Sequence, residues 1–178
     1  MLAGLAAARE KLPALRLVFA GRLERHKTER IEGEARRAGV CAAIRFLGFT
    51  ADDDLRALYR HALAHVFISR AEGFGYTVIE AMASGCPVIT TRCGSLAEIA
   101  DGCAELVEPD EPGAVGDAIL RLATGAEYRA RLREAGLQWS QAFACESQAR
   151  GTVGVLRMLL ARSPCLRVVR GTFAGAAP

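Results

Sequence analysis

Two carboxylates, Glu72 and Glu80, stand eight positions apart around the run Gly73-Phe74-Gly75-Tyr76-Thr77. An ionised carboxylate is an acceptor-only group with two oxygens, which matches a vicinal diol such as the 2′ and 3′ hydroxyls of a ribose. The two glycines let the backbone approach a ligand closely and adopt torsions that other residues avoid. If a helix opens near Thr77, the free N–H groups of its first turn favour an anion, and a phosphate fits there. Glu80 then lies about one turn inside that helix, where the positive end of the dipole helps keep it ionised, while Glu72 stays in the loop and reaches the far part of the ligand. The order reads as sugar, phosphate and ribose. On spacing alone, Glu80 reads equally as a helix-stabilising surface charge and the glycines as residues that merely turn the chain.

Such a loop needs a strand before it and a helix after it, and the surrounding pattern supplies both. Apolar runs at 15–20 (LRLVFA), 44–47 (IRFL), 65–69 (HVFIS), 87–90 (PVIT) and 104–107 (AELV) are too short for core helices. Their unbroken hydrophobicity suits strands buried on both faces. Segments 29–38, 51–62, 77–84 and 95–100 supply the crossovers that parallel strands require. The expected fold is therefore α/β, a Rossmann-like parallel sheet flanked by helices, with the loop at the carboxyl end of the sheet where open α/β sheets bind ligands. Segments 112–123, 127–135 and 147–161 carry apolar residues at three- and four-residue spacing with arginines between them, and read as terminal helices. Residues 163–178 are rich in Gly, Ala and Pro and read as a poorly ordered tail, leaving one domain over 1–162.

Composition narrows the class. The 178 residues are 51% hydrophobic and 24% charged, ordinary for a globular domain. The net charge, 23 − 20 = +3, is too weak for a dedicated nucleic-acid binder. Nearly all the positive charge is arginine, read here mainly as solvated helix faces; peripheral contact of the terminal helices with an anionic membrane is the lesser alternative. The first residues lack the basic region of a secretory signal and no window spans a membrane, so a cytoplasmic protein is expected. Six cysteines without a CxxC pair or zinc-like spacing read as reduced, mostly buried thiols.

The run EGFGYTVIEAMASGCPVI resembles the signature of the retaining glycosyltransferases of family 4, also called the group 1 family, in which two Glu residues enclose a Gly-Phe-Gly loop and are followed by EAMA-x-G-x-PV. RFLGF at 45–49, DDDLRALYRHA at 52–62, CGSLAEI at 93–99 and ELVEPDEPGAVGDAILRL at 105–122 match in order, so the resemblance covers about residues 15–143. It implies a two-domain GT-B enzyme whose C-terminal half holds a nucleotide-activated sugar. In that case Glu72 hydrogen-bonds the donor sugar, backbone groups of Gly73, Phe74, Gly75, Tyr76 and Thr77 cradle the sugar and diphosphate, Glu80 holds the ribose, and Gly48 and Phe49 flank the base. The family's reaction retains the anomeric configuration and leans on charge stabilisation of the leaving diphosphate, with no metal or other cofactor required.

The diphosphate clamp of the family is an Arg and a Lys in a G-R-L-x-x-x-K pattern, which GRLERHK at 21–27 fits literally. Its neighbours, however, resemble the family's second strand. Either Arg22 and Lys27 are the clamp and a βα unit has been lost, or the first βα unit lies upstream and this loop imitates it; the flanking sequence favours the second. A basic loop there faces the crevice in both registers.

Other residues have blander readings. His61 and His65 have the i, i+4 spacing of a metal pair, but with no third ligand nearby they read as packing or surface residues. Tyr76 lines the sugar pocket or packs on its helix, and Trp139, near Phe143, reads as an anchor between the terminal helices and the sheet.

The leading expectation is transfer of a hexose from a UDP-, GDP- or ADP-sugar to a glycan, lipid or small-molecule acceptor. The alternatives are a non-catalytic nucleotide-sugar-binding module and, ranked lower, a nucleotide-sugar epimerase. At 178 residues the chain has room for a donor site and too little for an acceptor half, so a separate N-terminal acceptor domain is the expected partner.

Overall fold

The computed structural model describes residues 1–162. The elements run α1 (Leu2–Lys11), β1 (Leu17–Ala20), α2 (Arg25–Arg37), β2 (Ile44–Gly48), α3 (Asp52–His61), β3 (His65–Phe67), α4 (Tyr76–Ala83), β4 (Val88–Thr91), α5 (Leu96–Ile99), β5 (Glu105–Val107), α6 (Pro112–Thr124), α7 (Ala126–Ser140) and α8 (Cys145–Arg162). Met1–Ser140 forms one compact unit, and a second begins at Gln141. The expected tail, 163–178, lies outside the described residues.

The pairings between the named strands are parallel, and helices flank the sheets, as the apolar runs predict. The single expected sheet is divided in two, with orders β1-β2 and β3-β4-β5. Among the described residues β1 pairs only with β2, and β3 only with β4. What joins the two groups is apolar packing: Leu15, just before β1, and Val66 of β3 pack against one core cluster built on Ile89, Val107, Val115 and Leu122.

Helix α1 is a feature the sequence pattern did not predict. It contributes Ala8 to that cluster and Leu2 and Leu5 to a second cluster with Ala35, Val40 and Ile44 under β2, so it fastens both sheets together. It crosses α6 closely: a Cβ added at Gly116 would stand 2.9 Å from the Gly4 carbonyl oxygen. Strand β4 is the centre of its sheet, with Val88, Ile89, Thr90 and Thr91 all fully buried.

Several expectations need correction. The cysteines are free thiols among the described residues, but only Cys86 and Cys103 are buried; Cys41 and Cys145 are exposed because they stand at the ends of surface helical segments. Trp139, read as an anchor, stands on α7 and is 41% exposed. Helix α8 offers Val153, Val155, Leu156, Met158, Leu159 and Leu160 to solvent along with Arg150 and Arg157, so it is not the simple solvated charged face expected. No helix among the described residues is long and apolar enough to cross a membrane.

Candidate functional site

The site starts where β3 ends. Thr90 and Thr91, buried in β4, donate their hydroxyls to the carbonyls of Phe67 and Ser69, so the exit of β3 is tied to its neighbour by side chains after the ladder stops. The Ser69 hydroxyl donates to the Ala71 carbonyl at 2.8 Å and turns the chain outward. The loop closes at Gly75, whose φ of +95° is the left-handed conformation that caps α4. A Cβ there would stand 2.8 Å from Leu96 Cδ2, so strain and close packing both demand glycine. Val78 and Ile79 then donate to the Gly75 carbonyl, opening α4 one residue earlier than the sequence pattern indicates.

Within the loop the Glu72 carboxylate is half-buried and accepts from the Phe74 N–H at 3.4 Å. The rings of Phe74 and Tyr76 lie 4.5 Å apart at a tilt of 46°, and Tyr76 is 69% exposed, so it packs on its own loop and presents a face outward. The turn after β4 backs the loop from behind. Ser95 donates its hydroxyl toward the Phe74 carbonyl at 2.9 Å and the Glu72 carbonyl at 3.2 Å. Gly94, at φ +56°, approaches so closely that an added Cβ would meet the Glu72 carbonyl oxygen at 2.6 Å.

Glu80 is exposed on α4 and lines a cleft of about 330 Å³ with Asp52, Arg56, Tyr59 and Arg60 of α3 and Ser84. Burial, and secondarily the Glu80 carboxylate, push the Tyr59 phenol up to about 12, so it stays a neutral donor beside the cleft. Helix α7 supports α4 from the other side: a Cβ at Gly136 would meet Met82 Cγ at 3.1 Å, and one at Gly85 would meet the Arg133 guanidinium at the same distance.

On the other sheet, the Gly21 N–H donates to the Gly48 carbonyl at 2.8 Å and brings the two βα loops together. The Arg22 guanidinium lies 5.4 Å from the centre of the Phe49 ring, which is 73% exposed. Lys27 is in the first turn of α2, with its ammonium 3.4 Å from Glu24. Arg22, Gly48 and Phe49 thus form one group, residues 72–77 a second, and Glu80 faces the α3 cleft. A larger cavity of about 810 Å³ opens at the opposite, N-terminal ends of β1 and β3, lined by Lys11, Leu15, His61, Leu63, Pro87 and Arg133; ligands of open α/β sheets bind at the carboxyl ends. His61 is exposed and His65 lies in β3 between the rings of Tyr59 and Phe67. No group of three His, Cys, Asp or Glu side chains among the described residues is placed to hold a metal ion.

Residues 2–139 match the family model for glycosyl transferases group 1. The chain belongs to that family. A D-inositol 3-phosphate glycosyltransferase of Corynebacterium urealyticum is 33% identical over 139 residues, 77% of this chain and 32% of the relative. The solved C-terminal domain of a group 1 protein of Francisella tularensis, LpcC, is 28% identical, with a TM-score of 0.68 over 79% of this chain and 75% of that domain. Anabaena HepE, solved in complex with UDP, superposes with a TM-score of 0.79 over 88% of this chain and 44% of its own, at 21% identity. This group 1 chain spans about a third of the length of the curated relatives it matches, 30% and 32% for the first two.

The residues that sequence reasoning left without a role in this glycosyltransferase domain are Gly94 and Ser95. They lie in the CGSLAEI stretch, whose Gly-Ser pair just after a buried strand is a turn signal. Its contact with Glu72 joins residues more than twenty apart and leaves no trace in local pattern.

Proposed function

We propose that this chain is the donor-binding half of a glycosyltransferase that transfers a hexose from a nucleotide-diphosphate sugar to an acceptor with retention of configuration. The observation that carries the reading is the 72–77 loop: a carboxylate, a glycine-capped turn and a helix N-terminus follow one another at the carboxyl end of β3. We assign Glu72 to the sugar hydroxyls and the backbone of Gly73, Phe74, Gly75, Tyr76 and Thr77 to the sugar and diphosphate. Glu80 takes the ribose, whose diol its two oxygens can span. Gly48 and Phe49 flank the base, and Arg22 and Lys27 are the cations offered to the diphosphate. Charge developing on the leaving diphosphate is met by the α4 N-terminus and these cations, with no metal ion in the scheme. Support for the ligand class comes from HepE, which has been solved with UDP and with UDP-glucose.

Isothermal titration of the chain with UDP-, GDP- and ADP-sugars tests the proposal. At least one binds, and Glu80→Ala weakens it by about tenfold or more, the loss expected for a hydrogen bond to a charged group. A folded chain that binds none of them, or an undiminished affinity in Glu80→Ala, overturns it. Hydrolysis or transfer of the bound donor by this chain alone separates a transferase from a pure binding module.

A further inference from the structure

We infer that Ser95 is a positioning residue for recognition of the sugar, acting through the main chain of Glu72 and Phe74 and without contact to the nucleotide. The inference rests on the donor-site reading above and deepens it.

Three consecutive residues of one turn each hold a different point of the 72–75 loop. Gly94 lies under the Glu72 peptide, too close for any side chain. Ser95 holds two carbonyls: its hydroxyl is 2.9 Å from the Phe74 oxygen and 3.2 Å from the Glu72 oxygen, and its N–H is 3.4 Å from the latter. Leu96, fully buried, abuts Gly75. A hydroxyl has one proton, so the Ser95 O–H is shared between two carbonyls and sets the spacing between Glu72 and Phe74. The turn is itself anchored, since it leaves β4 directly after Thr91, which is bonded to Ser69, and Arg92 pairs with Asp101 at 3.5 Å.

The consequence is selective. Of the groups assigned to the donor, the Glu72 carboxylate is the one given to the sugar alone, and its placement is what Ser95 sets through the Glu72 and Phe74 carbonyls. Glu80 lies in the cleft against α3, and Phe49 lies with Arg22 on the other sheet; neither depends on Ser95. Loss of the hydroxyl therefore penalises the sugar part of the donor and spares the nucleotide.

The test compares UDP-glucose with UDP, GDP-mannose with GDP, and ADP-glucose with ADP, by titration into wild type, Ser95→Ala and Ser95→Thr. In Ser95→Ala the nucleotide-sugar that wild type binds weakens about fivefold or more, as for a lost hydrogen bond that held a binding group in place, while the matching nucleotide stays within about twofold. Ser95→Thr, which keeps the hydroxyl, restores the ratio. Retained nucleotide binding also certifies that Ser95→Ala is folded. Equal weakening of nucleotide and nucleotide-sugar, or no weakening of either, overturns the inference and leaves the donor-site reading intact; wild type that binds neither overturns both.

Discussion

Arg22 lies over the ring of Phe49, its guanidinium carbon 5.4 Å from the ring centre, so the loops after β1 and β2 present a cation and an aromatic face as one surface. An exposed cation–π pair of this kind is worth about 0.5–1 kcal/mol. If this surface flanks the base and diphosphate, Phe49→Ala and Arg22→Ala each weaken UDP by roughly three- to tenfold, and the double variant loses less than the product, because the pair acts as a unit. Lys27→Ala also weakens UDP, by less than Arg22→Ala, because Glu24 competes for its ammonium at 3.4 Å. Titration calorimetry on the four variants decides; undiminished affinity in both Arg22→Ala and Lys27→Ala would remove the two cations from the diphosphate.

Gly75 and Gly73 should part company when replaced by alanine. At Gly75 the positive φ and the contact with Leu96 oppose a side chain, and the variant loses roughly 1–3 kcal/mol of stability. At Gly73 nothing stands within 4 Å of an added Cβ, and the change stays within about 0.5 kcal/mol. Urea denaturation of both variants checks the contrast; equal losses would mean that the loop is not held against α5.

Glu105, a buried carboxylate in β5, accepts from Arg121 of α6 and Tyr128 of α7 and ties both helices to the sheet. Burial, then the bond to Glu105, raises the Tyr128 phenol above its ordinary range. Glu105→Ala strands those partners and costs about 2 kcal/mol, whereas Tyr128→Phe removes one donor and costs about 1 kcal/mol. The order of the two denaturation midpoints is the measurement, and a reversed order would sink this account.

His65 sets an acid limit on stability. Burial pushes its imidazole down to about 4, and its Nε2 has no hydrogen-bond partner in the described structure. Between pH 4 and 6.5 the unfolded chain binds a proton that the folded chain refuses, so this contribution is complete above 6.5 and drains away as pH falls toward 4, by about 3 kcal/mol in all. His65→Phe keeps the ring between Tyr59 and Phe67 and should flatten that part of the pH profile, with no loss of stability at pH 7. An unaltered slope in the variant would assign the acid sensitivity elsewhere.

The five strands were legible as short apolar runs, and the run 87–90 anticipates β4 (Val88–Thr91) to within a residue; β4 is buried on both faces as expected, whereas β1 and β2 are not, since Val18 and Leu47 point to solvent. Helix α1 was not, because its alanines and leucines are spread around the helix and give no 3.6-residue stripe, although Leu2, Leu5 and Ala8 are buried. Helix α7 runs five residues past its expected end because Gly136, which looks like a helix stop, is there to let Met82 approach. The loop from Glu72 to Glu80 could be read from chemistry and spacing, since its residues are contiguous. The support from Ser95 and the pairing of Arg22 with Phe49 could not, because both depend on which loops the tertiary fold brings side by side.

The strand order has a cost of a different kind. Peptide N–H and C=O groups along the unshared sides of the end strands β2 and β5 are a template that any other strand can read, including the same edge on a second molecule. Strands of five and three residues keep that template short. The penalty is therefore colloidal, scaling with how many molecules share the tube, and dilute samples will report the behaviour of the donor loop more faithfully than concentrated ones.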